Sequence, residues 1–156
     1  MDTRDPSVAL YDFIEIYANF FEEVCALEQE KLAVLRSGEI PQIQQMITRQ
    51  QAIAKRMENI EGKRMALQQA AGMAQYTFKE ILAEAPAEDR ARLKMLFDRI
   101  RTEIANIKYL NEKSMVCART RLQMIKDPQG DLPVCGYSRQ KNGRGLGSLL
   151  IMETKV

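Results

Sequence analysis

The sequence predicts an all-α protein: an elongated antiparallel three-helix bundle of coiled-coil type, with a short connector helix and a flexible C-terminal tail. Three observations predict it. Apolar residues recur at alternating spacings of three and four through three long segments, which puts them on one stripe of each helix. Gln, Glu, Lys, Arg, Ala, Leu and Met are abundant, while aromatic residues make up only 6% and Trp is absent, a balance that favours helices over strands. Five of the eight glycines, with Pro128 and Pro133, fall where that periodicity stops.

The first helix is expected over about 6–36. Asp5 is placed to cap it, and Pro6 stands at the first helical position, where a missing N–H costs nothing. Leu10, Phe13, Tyr17, Phe20, Val24, Leu27 and Val34 form its inner line, interrupted by Lys31. The SGEIP stretch ends it, with Gly38 suited to a left-handed cap. The second helix is expected over about 41–71, on the line Ile43, Met46, Gln50, Ile53, Met57, Ile60, Arg64 and Leu67. Gly62 falls on its outer face.

TFKE (Thr77 to Glu80) has capping-box spacing and predicts a short helix over about 77–83. Ala85-Pro86 breaks it. The third long helix follows over about 87–126, some 55–60 Å long, with Glu88 and Asp89 in its first turn. Residues 1–127 thus read as one bundle and 128–156 as the tail. The tail holds a basic run, RQKNGR, and an apolar run, LGSLLIM, that could fold onto the bundle or onto a partner.

The third helix carries an irregularity. Its inner line begins Leu93, Phe97, Ile100, Ile104, Ile107, but continues Asn111, Ser114, Ala118, Arg121, Ile125. Leu110, Cys117 and Met124 form a competing line, with Met115 and Leu122 beside it. Either these residues fill a two-sided core, as in a homodimer, or they form an adaptable surface for a partner, for which flexible Met suits. Lys31, Gln50, Arg64, Asn111 and Arg121 are expected to lie at seam edges, with the long side chains reaching out to water.

Composition narrows function. Against 23 basic residues stand 21 acidic ones, so net charge is +2 and gives no reason to expect a nucleic acid. No apolar stretch approaches a bilayer span, and MDTRDPSV lacks the apolar core of a signal peptide. Three cysteines without CxxC spacing read as a reducing cytosol. The absence of His removes the usual triads and ordinary zinc sites. Glu22-Glu23, Glu28, Glu30, Glu58, Glu61 and Glu88-Asp89 read as acids on solvated faces. GRGLG joins no strand to a helix and makes a poor phosphate cradle. Cys25 and Cys117 read as small hydrophobes without an activating base. No enzyme, cofactor or metal is expected.

CALEQEKLAVLRSGEIPQIQQMITRQQAIAKRMENIEGKR (Cys25 to Arg64), the connector TFKEIL and the Tyr109-Leu110-Asn111-Glu112 element are followed by a tail with an aromatic residue and glycines around Tyr137 and Gly143. On these motifs the chain from Leu10 to about Ile125 resembles the FlgN family of flagellar export chaperones. Lys113 and Ser114 stand where a second Asn is common, and the tail is longer and ends in LLIMETKV. The resemblance implies a cytoplasmic type III export chaperone. Such a protein binds the C-terminal helices of hook–filament junction proteins, prevents premature assembly, and delivers them to the membrane export gate. It implies contact through Leu110, Asn111, Ser114, Cys117, Arg121 and Met124, with Tyr137 docking at the gate. The alternative reading is a scaffolding coiled coil that forms a permanent homodimer.

Overall fold

Asp5 starts the first helix by accepting a 2.9 Å hydrogen bond from the Ser7 amide, with Pro6 in the first turn. The computed structural model describes residues 4–127, within which the chain forms α1 (Pro6–Ser37), α2 (Ile40–Ala70), α3 (Phe78–Glu84) and α4 (Ala87–Lys126). Among the described residues there is no strand, so the all-α expectation holds. The tail lies outside the described residues.

Each boundary has a local cause. Gly38 takes φ +71°, a conformation that L side chains rarely adopt, and its amide returns to the Val34 carbonyl at 3.1 Å. That turn reverses the chain into α2. Gly72 repeats the left-handed conformation after α2, and buried Gln68 donates to the Met73 and Tyr76 carbonyls at 3.0 and 3.1 Å, fastening the connector. Thr77 and Glu80 form the reciprocal capping box that opens α3. Pro86 then precedes α4, whose first turn carries Glu88 and Asp89 at the positive end of the helix dipole.

Pairing across the seams fixes directions. Glu30 meets Arg49, Glu23 meets Arg56 and Tyr17 meets Glu61, so α2 runs antiparallel to α1. Arg92 reaches Asp12 and Glu15, Arg99 reaches Asn19 and Glu22, and Lys31 reaches Asn111. These contacts hold an offset near 80 residues, which makes α1 and α4 parallel. The order is therefore up, down, up. α1 is the central helix: α4 and α2 each pack along it and touch one another little.

The core occupies one half of this rod. Leu10, Phe13, Ile14, Tyr17, Phe21 and Val24 of α1 pack with Met57 of α2 and Leu93, Phe97 and Ile100 of α4. Tyr17 meets Phe21 edge-on at 4.9 Å, and Phe78 of α3 stacks on Phe97 at 4.4 Å. Full burial of such a side chain contributes about 1.5–3 kcal/mol. Toward the α1–α2 turn the interior becomes polar. Leu27, Leu32 and Met46 remain buried there, beside Glu28, Lys31 and Ser114.

The interior corrects two expectations. Lys31 and Arg64 do not extend to water. Lys31 is 9% exposed and pairs with Glu28, while Arg64 pairs with Glu61, bonds Gln68 and lies 5.9 Å over the Tyr17 ring. Glu28 does not sit on a solvated face: it is only 1% exposed. An acid one helical turn before an inward cation compensates that cation without solvent.

Candidate partner-binding face

α4 outlasts the helix it packs on. Adding the 80-residue offset to Ser37, the end of α1, reaches Cys117, whereas α4 continues to Lys126. Leu93, Leu96, Phe97, Ile100, Ile107 and Ser114 are buried, and no described residue after Ser114 is. The last turns of α4 thus project as an overhang of roughly 13 Å. Ala118 and Ile125, which the spacing puts on the inner line, are exposed, Ile125 by 77%. They keep the correct angle but have no α1 beside them.

The structure places six of the seven expected contact residues along this part of α4. Leu110 is half-buried and packs against the core. Asn111 accepts from the Lys31 ammonium at 3.2 Å, and its amide approaches the Met115 sulfur at 4.0 Å. Ser114 is 3% exposed, and its hydroxyl has no hydrogen-bond partner among the described residues. Cys117 is half-buried. Arg121 reaches back to donate to the Arg36 carbonyl, covering the end of α1 beside Gly38. Met124 is 49% exposed. Along the line Leu110, Cys117, Met124 the side chains emerge progressively from the bundle. Tyr137 lies outside the described residues.

Other residues join them. Tyr109, Val116 and Leu122 are exposed on α4, as are Ile40 and Ile47 of α2. The apolar spread round the end of the third helix was the signal for Leu122. Nothing in the spacing singled out Ile40 or Ile47, because their exposure depends on where the α1–α2 turn sits.

Charge is distributed unevenly. In the first half of the rod, Arg92 and Arg99 of α4 take the α1 carboxylates Asp12, Glu15 and Glu22. Near mid-rod Arg56 of α2 occupies Glu23, and toward the α1–α2 turn Arg49 occupies Glu30 and Lys31 holds Glu28. The bond from Arg56 holds the Glu23 carboxyl below its ordinary range. From Lys108 onward no cation of α4 has a carboxylate partner among the described residues.

The reactive side chains are restrained. Burial, with the Glu103 carboxylate beside it, pushes the Cys25 thiol from 9.0 up to about 11, so at neutral pH it is a neutral hydrophobe. Burial and the neighbouring Glu61 raise the Tyr17 hydroxyl well above 10.0. Among the described residues, no group of three or more His, Cys, Asp or Glu could hold a metal, and no helix is long and apolar enough to cross a membrane. The arrangement offers a half-exposed apolar face.

Comparison with known proteins accords with that geometry. The family model described as FlgN protein matches residues 9–127. Neither a curated protein nor a solved structure gives a match. The matched region runs from the start of the α1 core to the end of α4, well over half of the 156 residues, and the chain belongs to the FlgN family, a family of flagellar export chaperones.

Proposed function

We propose that the chain is a cytoplasmic chaperone of the flagellar type III export system. It binds the C-terminal helices of hook–filament junction proteins and keeps them unassembled before export. The overhang of α4 carries this reading: apolar side chains from Val116 to Ile125 stay exposed on a helix that continues past its partner. An amphipathic cargo helix laid along α4 would cover Leu110, Cys117 and Met124, with anchors at i, i+3, i+4 and i+7. Ordering a flexible cargo segment offsets a few kcal/mol of contact energy, which keeps the complex reversible. Release to the export gate needs that reversibility, and Tyr137 is the residue assigned to gate docking.

The test is light scattering of the purified full chain, alone and with the C-terminal segment of a junction protein. A monomer that forms a stoichiometric complex and gains helicity supports the proposal. A tight dimer that ignores the segment would instead favour the scaffold, with the α4 face as its permanent interface.

A further inference from the structure

We infer that the overhanging face of α4 selects an acidic amphipathic helix, one with carboxylates flanking its apolar stripe. This deepens the chaperone proposal and rests on its assignment of α4 as the docking surface.

Charge is the argument. From Lys108 to Asp127 the chain carries five cations, all on α4, and two acids, Glu112 and the C-cap Asp127, and none of the five has a carboxylate within ion-pair distance among the described residues. The α1 acids level with this stretch, Glu28 and Glu30, are already committed to Lys31 and Arg49. Lys108, Arg119 and Lys126 are spaced by 11 and 7 residues, so at 100° per residue they share one flank of α4. Met115 and Leu122 stand one turn before Arg119 and Lys126, so this side of the exposed Ala118–Ile125 line is bordered by the cationic edge, while Leu110, Cys117 and Met124 border the line on its other side. On the opposite flank the Lys113 ammonium sits 4.8 Å from the Tyr109 ring. A helix docked here meets apolar side chains at its centre and cations at its edges.

The same charge disfavours the occupants the protein itself could supply. Residues 128–156 hold four cations and two acids, so the LGSLLIM run would bring RQKNGR against a cationic edge. A second copy would set this face against its equal, again cation against cation. Unlike charges draw partners together, and like charges set against one another oppose docking. An acidic helix is the occupant that neutralises the edge.

The experiment titrates the full chain with three labelled helical peptides sharing one apolar stripe and flanked by Glu, Gln or Lys, read by fluorescence anisotropy. A junction-protein C-terminal segment is the reference, and vesicles with and without phosphatidylglycerol form a further arm. The expected result is binding of the Glu peptide about 10-fold tighter than the Gln peptide, weakening as salt rises from about 50 to about 500 mM. Arg119→Glu with Lys126→Glu, both exposed positions, should reverse the order toward the Lys peptide. Equal affinity for all three peptides overturns the inference, as does preferential binding to the anionic vesicles or self-association through this face. If the junction segment binds with no charge preference, the chaperone proposal stands and this inference falls. If the Glu peptide binds at this face while junction segments do not, the inference stands and the cargo assignment falls.

Discussion

The Lys31 ammonium donates a 3.2 Å hydrogen bond to Asn111 Oδ1 across the α1–α4 seam while standing 2.6 Å from the Glu28 carboxylate. Glu28 Oε2 has no hydrogen bond of good geometry, so the ammonium is its main compensation. Removing one member of a buried pair is far costlier than removing both, because the survivor keeps its desolvation penalty. Lys31→Met should therefore cost about 3 kcal/mol in urea unfolding, while Lys31→Met with Glu28→Leu should recover most of it. Asn111→Ala, which leaves the ion pair intact, should cost about 1 kcal/mol. If the double variant is no better than Lys31→Met, the pair is not the source of the loss.

Alkaline pH should loosen the bundle in a defined order. The Cys25 thiol is raised from 9.0 to about 11 in the folded chain. Between those values the unfolded chain loses this proton and the folded chain keeps it. The folded state then binds more protons, so stability falls as pH rises from about 9. Tyr17 has the same sign, raised first by burial and then by Glu61, and adds to the loss above about 10. The urea midpoint should decline from about pH 9 toward about pH 11 in the parent, and Cys25→Ala should flatten the part of that decline below about pH 10. An unchanged slope in Cys25→Ala would assign the early decline to other groups.

Gly38 and Arg121 should be energetically coupled. Gly38 has φ +71°, and a Cβ there would run into the Arg121 guanidinium that bonds the Arg36 carbonyl. Gly38→Ala meets backbone strain of about 1–2 kcal/mol and must also displace that flexible side chain. Arg121→Ala alone, losing one surface hydrogen bond, should cost about 0.5–1 kcal/mol. Adding Gly38→Ala to Arg121→Ala should then cost less than it does in the parent, by about 0.5 kcal/mol in a double-mutant cycle. Strict additivity would show that the guanidinium does not rest on the turn.

The helices and their order were legible because a stripe at spacings of three and four needs no partner to be recognised, and Asp5, Gly38 and the Thr77–Glu80 box mark boundaries locally. What crosses between helices was not legible. Lys31 broke an apolar line and Glu28 looked like an ordinary surface acid, because their burial follows from the register of α1 on α4. Arg64 was misread for the same reason: its acceptor, Glu61, also holds Tyr17 from another helix. The irregular line after Ile107 was visible, yet its cause was not. Asn111 and Ser114 turn inward toward a polar interior, whereas Ala118 and Ile125 are exposed because α1 has ended. One apparent defect in the sequence therefore has two physical origins.

That distinction yields the sharpest prediction for the proposed site. Ile107 and Met124 both lie on α4, the first 4% exposed within the core and the second 49% exposed on the overhang. Ile107→Ala should lower unfolding stability by about 2–4 kcal/mol, because it opens a cavity between α1 and α4. Met124→Asp removes no buried contact and adds charge where water already reaches, so stability should change by about 0.5 kcal/mol or less. Its effect should appear in binding, where a carboxylate pressed against an apolar cargo stripe is desolvated without a partner. Affinity for the junction-protein segment should then fall at least about 10-fold in calorimetric titration. Unfolding by Met124→Asp would make the overhang part of the core, and unchanged affinity would place the cargo elsewhere on the rod.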